Sequence, residues 1–123
     1  MKVGTDLCDP RRIEKTYEKY GEKFLDRVLT NSEKEYVLSS KPHLISRLAV
    51  RYAAKEAVSK LLGTGIGKDV NFHEIEITKN EKGVPGVKLS GAALRTSERL
   101  GLSEWSISLS HEESLVVAMV AAS

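Results

Sequence analysis

Glu56 and Lys60 stand four residues apart, the spacing at which a helix sets an acid and a base side by side. Alone, such a pair is commonly structural. Its setting is less ordinary: Ala53, Ala54 and Ala57 surround Glu56, which leaves room for a bulky ligand or a metal to approach the carboxylate. Upstream, Arg47, Arg51 and Lys55 repeat at the same interval, a like-charge stripe that costs roughly a few tenths of a kcal/mol per adjacent pair unless an anion lies over it. Downstream, Gly63-Thr64-Gly65-Ile66-Gly67-Lys68 invites a phosphate-binding reading. P-loops and dinucleotide fingerprints, however, place a strand before the glycines and a helix after them, and here the order is reversed. A phosphate near the negative end of a helix dipole needs cations such as Lys60 or Arg51; without them the segment is only a C-cap loop.

Three further positions carry reactive side chains. Asp6 follows a short first strand and precedes the Asp9-Pro10 pair, a place where side chains emerge into clefts; the plainer reading is a turn residue. His111 closes the alternating segment Ser108-Leu109-Ser110-His111 and is expected at a strand end, exposed to whatever cleft opens there. His43, His73 and His111 are too dispersed for a zinc site, and Cys8 has no partner thiol and reads as structural.

The elements that must position these groups follow from caps and periodicity. Asp9 and Pro10 read as N-cap and first residue of a helix. Its apolar stripe of Ile13, Tyr17 and Tyr20 ends near Gly21 and resumes at Phe24, Leu25, Val28 and Leu29, giving two short helices. Thr30 with Glu33 is a capping-box signature for another short helix that ends before Ser39 to Pro42. A long helix of about five turns spans 44–62 and stops at Gly63. Val70 to Ile77 alternates in part, a turn follows in Asn80-Glu81-Lys82-Gly83-Val84-Pro85, and a short strand lies around Val87 to Leu89. Ala92 to Leu100 is helical up to Gly101. Trp105, Ile107 and Leu109 then alternate with serines, and the apolar run 115–120 completes a hairpin whose second strand is expected to be buried on both faces. Helices mostly first and strands mostly last predict an α+β fold: a single domain over 1–123, with an antiparallel sheet packed on one long helix and several shorter ones.

Composition narrows the classes. At 123 residues, 41% hydrophobic and 29% charged, the chain has material for one core and none for a second domain. A single cysteine suits a reducing cytosol, no apolar run approaches a membrane span, and the N-terminus lacks a signal peptide's hydrophobic stretch. The net charge of +2 hides an asymmetry, since residues 11–60 hold 12 basic and 7 acidic side chains while residues 61–123 hold 6 and 8. Such a field attracts an acidic protein, a phosphorylated small molecule or RNA. RNA is the poorer fit, because aromatics make up only 6% of the chain and are not interleaved with basic residues on the strands.

Taken together, GTD at 4–6, RYAAKEAVSK at 51–60, GTGIG at 63–67, the EI-rich strand at 74–77, GVP at 83–85 and WSISLSH at 105–111 resemble the holo-acyl-carrier-protein synthases, the small single-domain members of the 4′-phosphopantetheinyl transferase family. FLDRVLT at 24–30 extends the likeness, which covers nearly the whole chain in order. The chain departs from the family pattern in a short N-terminus and in SLSHEES, where a threonine commonly follows the histidine.

The resemblance implies a cytoplasmic transferase, serving fatty acid biosynthesis, that moves the phosphopantetheine arm of coenzyme A onto a serine of apo-acyl carrier protein and leaves adenosine 3′,5′-bisphosphate. It implies Mg2+ held by Asp6 and Glu56, with Lys60 as a second positive charge, and it leaves the base open between Glu56 and a water held by the metal. Coenzyme A contacts are implied at Arg51, Lys60, Gly63, Thr64 and Gly65, at His111 near the phosphates, and at the Gly83 to Pro85 turn near the nucleotide. The family's small members are homotrimers with sites between protomers, which makes Asp6 and His111 candidates for donation by a neighbour. An acidic carrier protein also gives a role to the basic positions Arg12, Lys15, Lys19 and Lys23 beside the acidic stripe Glu14, Glu18 and Glu22; the alternative is a solvated helix of mixed charge.

Overall fold

The computed structural model describes residues 1–123. Strand β1 (Lys2–Cys8) runs into α1 (Pro10–Tyr20), whose N-terminus is closed by Asp9: its carboxylate accepts the Arg11 amide at 2.9 Å. Gly21, at φ 59°, ends α1 and starts α2 (Glu22–Val28) in a backbone conformation that suits glycine. The expected capping box heads α3 (Asn31–Leu38), with the Thr30 amide donating to Glu33 Oε1 at 2.8 Å and the Glu33 amide to Thr30 Oγ1 at 3.4 Å. A 3-10 turn at Lys41–His43 leads into α4 (Leu44–Leu62), and Gly63 caps it in the left-handed region at φ 81°. Then come β2 (Ile75–Lys79), β3 (Pro85–Leu89), α5 (Gly91–Arg99), β4 (Trp105–His111) and β5 (Val116–Ala122).

The class is α+β as expected, with three departures in detail. The strands form two antiparallel sheets rather than one: β1-β5-β4, and the hairpin β2-β3. The partial alternation from Val70 is not all strand, because Asn71 and Glu74 cap each other across a 3-10 turn at Phe72–Glu74 and divert those backbone groups from pairing. Nor is β5 buried on both faces. Val116, Ala118, Val120 and Ala122 point into the core, whereas Met119 is 53% exposed between half-exposed Val117 and Ala121. Val3 and Leu7 of β1, at 65% and 69% exposure, share that outer face, while its β4 side carries Ser106, Ser108 and Ser110, so the protomer presents an exposed apolar patch along β1 and β5.

The core lies between the inner face of this sheet and α4. Contact is closest at Gly4, where a Cβ would collide with the Ala57 carbonyl oxygen and lie 3.0 Å from Leu61 Cβ. Only glycine lets β1 come this near to the helix, and that approach sets Asp6, two residues on and on the same face, against α4. Asp6 is thus inside the strand rather than after it.

The stripe of Arg47, Arg51 and Lys55 also proves to be divided. Lys55 turns inward with a fully buried side chain, and its ammonium donates to Glu33 Oε1 at 2.5 Å, to the Val28 carbonyl at 2.6 Å and to the Phe72 carbonyl at 3.1 Å. Glu33 Oε2 accepts the Ile77 amide at 2.8 Å. The repulsion expected from spacing alone is answered by a carboxylate 22 positions away. With both ions satisfied, the pair ties α4 to α3, β2 and the end of α2; removing one partner of such a pair typically costs about 3–5 kcal/mol.

The close approach at Gly4 yields a direct test. Gly4→Ala is expected to lower the free energy of unfolding by about 1–3 kcal/mol, since strand and helix must separate to admit the methyl group. Urea denaturation measures it, and an unchanged midpoint would show that the contact is slack.

Candidate active site

A cleft of about 850 Å³ opens where α1 and α2 lean over the β1 edge of the sheet and the middle of α4. Asp6 and Glu56 line its floor, with Tyr52 and Cys8 beside them. Lys60, one turn beyond Glu56, donates to Asp6 Oδ1 at 2.8 Å, so the helical pair read from sequence as Glu56–Lys60 is in fact directed to Asp6. That contact raises the Lys60 ammonium above its ordinary range. Glu56 is half-buried; burial first, and the Asp6 charge second, push its carboxyl above the usual carboxylate range, while Lys60 opposes them. No hydrogen bond figures among the influences on it. Burial and the same Asp6 charge push the Cys8 thiol up to about 11, which keeps it protonated and inert at neutral pH.

Nowhere does the chain gather three or more histidine, cysteine, aspartate or glutamate side chains as a metal cage. Asp6 and Glu56, which line the same cleft, could offer two carboxylates to a cation and would leave the rest of its coordination sphere to others, an incomplete oxygen shell of the kind magnesium accepts.

The wall of this cleft is basic. Arg12 and Lys15 from α1 and Lys23 and Arg27 from α2 line it, interleaved with the apolar surfaces of Phe24 and Tyr20. Of the basic positions singled out in the sequence, Arg12, Lys15 and Lys23 converge here. Lys19 does not line it; its ammonium lies 5.2 Å from the ring centroid of Tyr20, which does. Arg27 escaped the sequence reading, although its spacing of four from Lys23 was a usable signal.

A second cleft, of about 550 Å³, lies at the other edge of the sheet, between α3, the first half of α4, the β2–β3 turn and β4. Arg51, Gly83, Pro85 and His111 all line it. Strand order explains the separation: Asp6 on β1 and Leu109 on β4 face the same residue, Ala118, from opposite sides of β5. Arg51 is 7% exposed, its Nε has no partner, and burial pulls its guanidinium below the ordinary range. Gly63, Thr64 and Gly65 line neither cleft, although Ile66 beside them lines the first; they wrap the end of α4 next to Lys60, where the Thr64 and Gly65 amides donate to the Ser59 carbonyl at 3.1 and 3.2 Å.

Residues 2–120 match the model of the 4′-phosphopantetheinyl transferase superfamily. The chain belongs to that superfamily. A holo-[acyl-carrier-protein] synthase of Gloeobacter violaceus is 46% identical over 119 residues, 97% of this chain and 89% of the relative. Among solved structures, the superfamily fold recurs in the holo-[acyl-carrier-protein] synthase of Neisseria meningitidis, with a TM-score of 0.90 and 36% identity over 99% of this chain and 97% of that one. The Helicobacter pylori synthase, solved in complex with coenzyme A, matches with a TM-score of 0.85 and 35% identity over 98% and 99% of the two chains.

The raised Glu56 carboxyl is open to measurement. Asp6→Asn removes the second of its two upward influences, so in buffer free of divalent ions the Glu56 titration is expected to move down toward the ordinary range, followed by carbon-detected NMR of the side chain. A titration that stays in place would show that burial alone sets it.

Proposed function

We propose that the protein is a holo-[acyl-carrier-protein] synthase, transferring the 4′-phosphopantetheine group of coenzyme A to a serine hydroxyl of apo-acyl carrier protein with release of adenosine 3′,5′-bisphosphate. The observation that carries the reading is the Asp6–Glu56–Lys60 group at the foot of a basic, partly apolar cleft, in a chain similar along nearly its full length to proteins of that name. We take residues 1–123 as one such domain.

In this mechanism the serine oxygen forms a bond to the β-phosphorus of the diphosphate, and the bond from that phosphorus to the oxygen leading to the nucleotide breaks. Adenosine 3′,5′-bisphosphate leaves with that electron pair. The serine proton goes to the Glu56 carboxylate or to water in the cleft. Lys60 brings a fixed positive charge to the reacting phosphate. Asp6 and Glu56 are the residues to hold Mg2+, which when bound supplies positive charge to the diphosphate oxygens. Arg51, His111 and the Gly83–Pro85 turn receive the nucleotide end of coenzyme A, and the Gly63–Gly65 loop lies along its arm. Arg12, Lys23 and their neighbours on the wall meet the acidic carrier protein.

The protein acts as a homotrimer whose sites are shared between neighbours. Two features support this. The outer face of the sheet exposes Val3, Leu7 and Met119 along β1 and β5, and the catalytic and nucleotide residues occupy separate clefts of one protomer. A neighbour's second cleft set beside the first would complete a site. Asp6 and Glu56 belong to the same cleft, so the residue donated across the interface is His111 rather than Asp6. We assign the activity to the cytoplasm and to the supply of carrier protein for fatty acid biosynthesis; the free Cys8 accords with a reducing compartment, and no helix is long and apolar enough to cross a membrane.

Incubation with coenzyme A, Mg2+ and an apo-acyl carrier protein, read by intact mass, is expected to show addition of the arm; an unmodified carrier protein would overturn the assignment. Asp6→Asn and Glu56→Gln should each slow transfer by on the order of a hundredfold while the fold survives, because neither change alters volume much. Reversing Arg12 and Lys23 to glutamate is expected to raise the KM for the carrier protein and flatten its salt dependence without weakening coenzyme A binding, as rim charges steer a partner. For the shared site, inactive Glu56→Gln and inactive His111→Ala chains, once mixed and reassociated, should regain part of the activity. No recovery, or full activity in a sedimenting monomer, would refute the arrangement.

A further inference from the structure

The second cleft contains a feature that the transfer chemistry does not account for. Its lining includes Arg47, Arg51 and Lys79, with His43 and His111, and no carboxylate. Cations gathered this closely repel one another and need a partner. What they share is one phenol ring. The guanidinium carbons of Arg47 and Arg51 lie 4.0 and 4.6 Å from the Tyr36 ring centroid, and the Lys79 ammonium lies 5.0 Å from it. Lys79 also donates to the Tyr36 hydroxyl at 2.9 Å, and Arg47 Nη1 to the Tyr36 carbonyl at 2.8 Å.

We infer that Tyr36 is a positioning residue for the phosphate-binding cations of this cleft: its ring holds Arg47, Arg51 and Lys79 together, without neutralising them, for the phosphates of coenzyme A. The inference rests on the reading of the second cleft as the nucleotide subsite. A carboxylate in the same place would gather the cations equally well, but it would cancel their charge and repel the incoming anion. The negative face of a neutral aromatic ring attracts cations through its quadrupole and leaves their N–H groups free to donate. Arg51 is the buried member of the set: 7% exposed, it donates through Nη1 to the Arg47 carbonyl at 3.2 Å, and its Nε, itself buried, has no partner. Tyr36 makes no contact with the reacting phosphorus in this scheme. It acts through the three cations, and its effect belongs to binding rather than to the chemical step.

The test compares Tyr36→Leu, which removes the ring, with Tyr36→Phe, which keeps it and removes the hydroxyl. Tyr36→Leu is expected to raise the KM for coenzyme A about tenfold with little change in kcat, and to weaken adenosine 3′,5′-bisphosphate binding to the metal-free protein by a similar factor in calorimetry. Tyr36→Phe should recover most of that loss and retain a deficit of about threefold from the freed Lys79. In a Lys79→Met background, Tyr36→Phe should then have no further effect, which decides the matter even if Tyr36→Leu fails to fold. Unaltered KM and bisphosphate affinity in Tyr36→Leu, a loss confined to kcat, or full additivity of Tyr36→Phe with Lys79→Met would overturn the role of Tyr36 while leaving the nucleotide subsite standing. If the unaltered protein binds no bisphosphate, the subsite itself falls, and this inference with it.

Discussion

One buried charge decides which way the long helix faces. Lys55 cannot leave the core without abandoning Glu33 and two backbone carbonyls, so the rotation of α4 about its axis is fixed at the middle of its length. Glu56, the next residue, is then obliged to face the first cleft, and Arg51, one turn earlier, the second. An apolar residue at 55 could fill the space, yet it would not discriminate between rotations as a cation with three fixed acceptors does. The same pair anchors β2 through the Ile77 amide and thereby the hairpin that bears the Gly83–Pro85 turn. Both clefts therefore depend on one interaction whose two side chains, Lys55 and Glu33, line neither.

The sheet distributes what the helix aims. Because β5 separates β1 from β4, Asp6 and His111 sit on opposite edges, and the two clefts look out of the molecule in different places. The first is acidic at its floor and basic along its wall. The second has cations and no acid. Under the proposed function these are the environments for the diphosphate and for the remaining phosphate of the same nucleotide, and the exposed apolar patch on β1 and β5 is the surface on which neighbouring chains would bring them together.

Much of the fold was legible because its boundaries are chemical. Asp9 with Pro10, Gly21, Thr30 with Glu33, and Gly63 each satisfy or break backbone hydrogen bonds locally, and the first four helices begin or end close to where those residues predict. What escaped depends on distance along the chain. Arg47, Arg51 and Lys55 share a spacing, but Lys55 faces the core because of Glu33, and nothing near 55 announces that partner. The run 115–120 is apolar throughout, yet periodicity cannot say that half of it would remain uncovered in the protomer. Lys19 and Lys15 look equivalent on a helical wheel until α2 packs beside α1 and gives the cleft its direction. Glu56 and Lys60 were readable as a neighbouring acid and base, and the resemblance joined Asp6 to Glu56; that Lys60 turns to Asp6, and that His111 lies apart from all three, required the fold.

Asp6 also answers a hazard created by its own position. Strand β1 pairs with β5 on one side and with no strand on the other, leaving a seven-residue edge of unpaired backbone groups of the kind that recruits strands from other molecules. A charged side chain pointing inward from such an edge is one of the devices by which proteins prevent that recruitment, since a second strand docked there would shut the charge away from water. Asp6, with 13% of its side chain exposed beside Lys60, is such a charge. The residue proposed to serve the site would thus also guard the edge of the sheet, and an apolar substitution at position 6 would remove a barrier to edge-to-edge pairing together with the carboxylate.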